Sequence, residues 1–144
     1  MFDLTRPELH EALTLPSTLD TVEMVEAKAT EYAEKAGFDE DTASQISMVA
    51  REAAVNAVLH GNKKNPDKQV YATFSLTAED LTIQVADEGE SFDPLSVPDP
   101  LSPEGLLRPS GRGIFLMRAI MDEVNFRQLS PGAEITLVKH RNRD

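Results

Sequence analysis

Three short constellations in this sequence carry residue types that could do chemistry. The first is Glu52, Asn56 and His60, spaced four residues apart. On an α-helix such residues share one stripe, drifting by about 40° per step. The stripe borders a sector carrying Ile46, Ala50, Ala53 and Ala57. Polar groups beside an apolar face are expected to be partly buried and so to need partners, and the small alanines permit close backbone approach. The same spacing also fits a solvated helix edge. The second is Asp87 with Gly89, at the end of the apolar run Leu81, Ile83, Val85. A carboxylate there can accept hydrogen bonds from a ligand approaching the backbone; an ordinary acidic strand exit looks the same. The third is Gly111-Arg112-Gly113, leading into Ile114. Glycines just before a helix leave its first N–H groups unobstructed, and the helix dipole favours an anion. A hinge with a surface arginine reads equally well, and no Gly-Lys-Ser/Thr follows to make a P-loop.

The elements that must position these residues are legible from periodicity. Leu9–Leu15 reads as a first strand stopped by Pro16, with Ser17 or Thr18 capping a helix from Thr21 to Lys35 that Gly37 ends. Val22, Val25, Ala29, Tyr32, Ala33 and Ala36 mark its buried face. A second helix starts near Asp39–Thr42 and runs to about His60, where Gly61 and Asn62 stop it. Val70–Leu76 and Leu81–Val85 alternate apolar and polar residues around Ala78-Glu79-Asp80, which predicts a hairpin. Residues 88–110 hold five prolines and no periodicity, and a long structureless stretch of that kind points to function or disorder. A helix over Ile114–Met121 and strands over Val124–Leu129 and Ile135–Val138, with a turn at Pro131-Gly132, close the chain. This order predicts an α+β two-layer sandwich: a mixed, mostly antiparallel sheet with helices on one face.

Composition bounds the function. The 144 residues predict a single domain, 1–144, large enough to bury a core without staples. With no cysteine there is neither a disulfide nor a thiolate metal site, and with no His/Cys cluster no zinc is expected. The opening residues lack a basic end followed by an apolar run, and no stretch reaches the roughly 20 apolar residues of a membrane helix. The expectation is a cytoplasmic protein. A net charge of −11 repels nucleic acid and anionic membrane, so neither is an expected partner; it suits a partner with a basic face, and equally well a surface charged only for solubility.

Taken together, and in this order, Glu52 to Gly61, Asp87 to Pro94 and Gly111 to Arg118 are far more specific than any one of them. They resemble the N, G1 and G2 boxes of the superfamily that holds gyrase, histidine kinase, MutL and chaperone ATPases. Within it the chain is similar to the RsbW/SpoIIAB class of anti-sigma factor serine kinases, over nearly its whole length and most of all along Gly113–Val124. The fold so implied is the Bergerat, histidine-kinase-like ATPase type, with residues 88–110 as an ATP lid.

The resemblance also implies roles. Glu52 stands where the class has its general base, and Asn56 where it has the ligand of the Mg²⁺ that bridges the ATP phosphates. Asp87 stands where the adenine amino group is read, with Gly89 letting the base pack close and Phe92 at the lid hinge or pocket wall. Gly111 and Gly113 would hold phosphate oxygens, with Arg112 adding charge; His60 and Ile114 fall among the nucleotide-contacting positions. The implied cofactors are ATP and Mg²⁺. The implied partners are a STAS-type antagonist, phosphorylated on serine, and a sigma factor or other regulator held by a homodimer. The alternative is a non-catalytic module that binds ATP or sequesters a partner. A histidine kinase is the poorer fit, since His10, His60 and His140 are scattered and no helical hairpin carries a phosphoacceptor. Two positions depart from the class: Ser91 replaces a usual glycine, and Gly132-Ala133 replaces a usual Gly-Thr.

Overall fold

In the computed structural model, residues 8–63, 65, 67–89, 109–129 and 131–141 are described, with the backbone alone for 60 and 109–112. Five strands, β1 (Leu9–Pro16), β2 (Gln69–Leu76), β3 (Asp80–Ala86), β4 (Glu123–Gln128) and β5 (Ala133–His140), form one sheet in the order β1-β2-β3-β5-β4. All four pairings are antiparallel, so the mixed sheet of the expectation is antiparallel throughout its described strands. The helices are α1 (Leu19–Lys35), α2 (Glu40–Val55) and α3 (Pro109–Ile120). This is the α+β sandwich expected from the element order.

Strand alternation decides which face the helices cover. Along β2, Val70, Ala72, Phe74 and Leu76 are buried while Gln69 and Tyr71 are exposed. Leu81, Ile83 and Val85 of β3 and Leu137 of β5 continue that apolar face. Val22, Val25, Ala29, Tyr32 and Ala33 of α1, and Ile46, Val49, Ala50 and Ala53 of α2, meet it in one core. The Tyr32 and Phe74 rings lie 5.4 Å apart at its centre. Each buried valine, leucine, isoleucine or phenylalanine there contributes roughly 1.5–3 kcal/mol by leaving water, and small alanines along α2 let that helix lie close to the sheet.

The helix ends have local causes. Asp39 caps α2 by accepting from the Thr42 N–H at 2.7 Å. Gly37 follows α1 at φ +90°, a conformation that costs glycine little. The cap expected of Ser17 or Thr18 is absent. Thr18 makes no side-chain cap bond, and the Thr21 hydroxyl instead donates to the Pro16 carbonyl at 2.5 Å. Two further departures bear on the site. The second helix is α-helical only to Val55 and continues as a π-helical turn, Asn56–Gly61, closed by the Asn62 N–H donating to the Ala57 carbonyl at 2.8 Å. The third helix begins at Pro109, not Ile114, so Gly111 and Gly113 lie inside its opening turns. Proline is well suited to that first position, where its missing N–H has no partner to lose. No helix among the described residues is long and apolar enough to cross a membrane.

Candidate functional site

The end of α2, its π-helical extension, the exit of β3 and the start of α3 bring most of the singled-out residues together. Glu52 is half-buried on α2, and α3 packs across it so closely that a β-carbon at Gly113 would collide with the Glu52 carboxylate. Burial holds the Glu52 carboxyl above the ordinary glutamate value. One turn later, Asn56 presents a side-chain oxygen that is buried and has no hydrogen-bond partner. Such orphaned acceptors are uncommon in folded proteins and call for an explanation. A hard cation supplies one: magnesium takes carbonyl and carboxylate oxygen and leaves its other positions to water and phosphate.

At the far end of the π-helical turn sits Asp87, about 8 % exposed. The sheet fixes its backbone, because its N–H donates to the Ala133 carbonyl at 3.0 Å where β5 begins. Its Oδ1 accepts from the Gly89 N–H at 2.9 Å. Burial raises the Asp87 carboxyl above its usual range, against the opposing pull of the Gly89 and Ala133 amides and the Lys68 charge. Three glycines make the packing possible. A β-carbon at Gly61 would strike the Asp87 carboxylate, one at Gly89 the Gly61 carbonyl, and one at Gly132 the Asp87 carbonyl. Gly132 also sits at φ +104°. For Gly89→Ala the obstacle is backbone, which cannot rotate away. This substitution is expected to cost about 1–3 kcal/mol or more, read as a lowered Tm.

From Glu52 to Gly61 is nine residues, a rise of roughly 13 Å along a helix. One continuous element therefore carries a proton-accepting group and an orphaned oxygen at one end and abuts a buried carboxylate at the other. Short π segments recur at functional sites because they redirect a helix without ending it.

A model of the histidine kinase-like ATPase domain matches residues 15–139. The chain belongs to that family. Serine-protein kinase RsbW of Bacillus licheniformis is 31% identical over 138 residues, covering 90% of this chain and 84% of the relative. RsbW of Bacillus subtilis strain 168 is 28% identical over 136 residues, with 90% and 84% covered. Among solved structures, that of the RsbU and RsbW domains of a Mycobacterium tuberculosis protein superposes at a TM-score of 0.69 with 19% identity. It covers 96% of this chain, which spans only 34% of that one. The nucleotide-free catalytic domain of histidine kinase ThkA superposes at 0.57 with 13% identity, covering 93% of this chain and 99% of the domain. Within the histidine kinase-like ATPases, then, this chain is of the RsbW-like, serine-protein kinase kind.

Against the family's boxes, the structure brings Glu52 to Gly113 and Asp87 to Gly89, and leaves Asn56 with the open oxygen. Gly111 lies in the first turn of α3, where the leading N–H groups of a helix have no partner within it. Ile114 is buried. The backbone of His60 lies within the π-helical turn, so the stripe expected of a continuous α-helix loses regular α geometry from Asn56 onward. The side chains of His60 and Arg112 lie outside what is described, as do Phe92, Ser91 and the stretch 90–108. Ala133 keeps its bond to Asp87 through its own carbonyl, which no side chain there alters. One residue escaped the sequence reading. Asn62 looked only like a helix stop, yet it is 1 % exposed and bonded through both its amide nitrogen and its amide oxygen, while Gly61, the last residue of the first motif, abuts Asp87.

Proposed function

We propose that this chain binds Mg·ATP between α2, the exit of β3 and α3, and transfers the γ-phosphoryl group to a serine of a small STAS-type antagonist protein. In the same circuit it sequesters a sigma factor or comparable regulator, as a homodimer in the cytoplasm. The observation that carries the reading is the unpartnered Asn56 oxygen, one helical turn from a half-buried carboxylate. RsbW relatives across 84% of their length support the choice of serine as acceptor.

Each residue's part follows from its chemistry. Asn56 Oδ1 would hold magnesium, which when bound supplies positive charge beside the phosphate oxygens. Glu52 would accept the proton of the serine hydroxyl as its oxygen bonds to the γ-phosphorus and ADP departs. Burial suits it to the task, because a carboxyl held above its ordinary value is a stronger base once ionised. The leading N–H groups of α3, Gly111 among them, would take phosphate oxygens at the positive end of the helix. Asp87, which as a carboxylate only accepts, would receive a hydrogen bond from the adenine amino group and so tell adenine from guanine.

Incubation with γ-labelled ATP, Mg²⁺ and candidate STAS-type antagonists tests the whole reading. Label is expected on antagonist serine and its phosphorylated form is expected to dissociate. ATP binding without label transfer to any such protein would favour the non-catalytic sequestering module instead.

A further inference from the structure

We propose that Asn62 is a positioning residue that sets nucleotide specificity by aiming the Asp87 carboxylate. The inference rests on Asp87 as the base-reading group. Its basis is a closed ring of hydrogen bonds joining three separate segments. The Asn62 side-chain amide donates through Nδ2 to the Gln69 carbonyl at 3.0 Å. Its Oδ1 accepts from the Glu88 N–H at 2.8 Å. Glu88 closes the ring by accepting, through Oε1, from the Gln69 N–H at 2.6 Å, and its Oε2 accepts from the Tyr71 hydroxyl at 3.2 Å.

The ring lies directly behind the base-reading group. Asn62 follows Gly61, whose α-carbon lies against the Asp87 carboxylate, and Glu88 lies between Asp87 and Gly89, which rests on the Gly61 carbonyl. Neither Gly61 nor Gly89 has a side chain with which to fix itself. Asn62 therefore supplies what the glycines lack: one buried amide that ties the end of the π-helical turn both to the start of β2 and to the residue after Asp87. Its nitrogen and its oxygen each hold a partner, which few other side chains could match at that size. A hydrogen bond to a carboxylate is directional, so a shift of the carboxylate costs the amino contact more than it costs contacts made elsewhere along the nucleotide.

The experiment compares the affinities of the full chain for Mg·ATP and for purine riboside triphosphate, which lacks only the amino group, by calorimetry. The variants are Asn62→Ala, Asn62→Ser and, alongside, Asp87→Asn; Asn62→Ser keeps a neutral polar group in the buried site, but its single short hydroxyl no longer spans Gln69 and Glu88. The preference for ATP over the analogue is expected to fall about tenfold in both Asn62 variants, approaching that of Asp87→Asn. If Asn62→Ala loses its cooperative melt, Asn62→Ser decides. A merely structural role would weaken both nucleotides equally or lower Tm alone, and a preference left unchanged in the Asn62 variants while Asp87→Asn abolishes it would overturn the inference and spare the base reading. A preference unchanged in Asp87→Asn would remove both.

Discussion

Glu52→Gln is expected to lower the rate of serine phosphorylation by about 10²–10⁴-fold, the usual contribution of a positioned base, while Mg·ATP still binds. Glutamine keeps the shape that packs against Gly113 but accepts no proton at neutral pH. The pH profile is the sharper signature. Burial raises the Glu52 carboxyl, so the acid limb of the rate is expected above the pH at which an exposed glutamate would titrate. Below that limb the group is protonated and the rate falls. The sign for stability is the reverse. Stability from a group whose folded pKa exceeds its unfolded one is fully present below the unfolded value and is lost as pH rises through the folded one. At pH 7 the ionised Glu52 is thus a cost to the fold, and Glu52→Gln is expected to melt no lower than the parent. Rates against pH and scanning calorimetry check both halves. Transfer undiminished in the variant would remove Glu52 as the base.

Asn56→Ala is expected to weaken Mg·ATP by about 100-fold or more, which is about 2.7 kcal/mol. The free protein should gain rather than lose stability. The Asn56 oxygen is buried without a partner, and taking away an unsatisfied acceptor relieves a desolvation cost. Alanine is also the better helix former. A residue retained for packing would behave oppositely, with Tm falling and affinity holding. Titration calorimetry with Mg·ATP, paired with a thermal melt of the free protein, separates the two.

How much of this could be read in advance varied with the physics of each element. The β2–β3 hairpin was plain because one face of each strand is buried, and period-2 alternation is its direct imprint: Ala72, Phe74 and Leu76 pair with Val85, Ile83 and Leu81 across the register. The buried stripe of α1 was plain for the same reason at helical period. The π-helical turn was not legible, since a change from i→i−4 to i→i−5 bonding leaves no compositional trace. The early start of α3 was missed because Pro109 closes a run of prolines and reads as loop, although proline opens helices well. Within the site, Glu52, Asn56 and Asp87 stood out through the order of three motifs; their spacing alone fitted plain surface positions too. Asn62 gave no signal. A polar residue after a helix-ending glycine looks exposed, and only the tertiary path of β2 and the β3 exit brings Gln69 and Glu88 to either side of it.

The most direct test of the account is a crystal of the chain grown with Mg²⁺ and a non-hydrolysable ATP analogue. The expected result is a magnesium ion about 2.0–2.1 Å from Asn56 Oδ1, phosphates against the start of α3, and the adenine amino group donating to Asp87. Nucleotide bound elsewhere, or Asn56 and Asp87 turned away from it, would contradict the account.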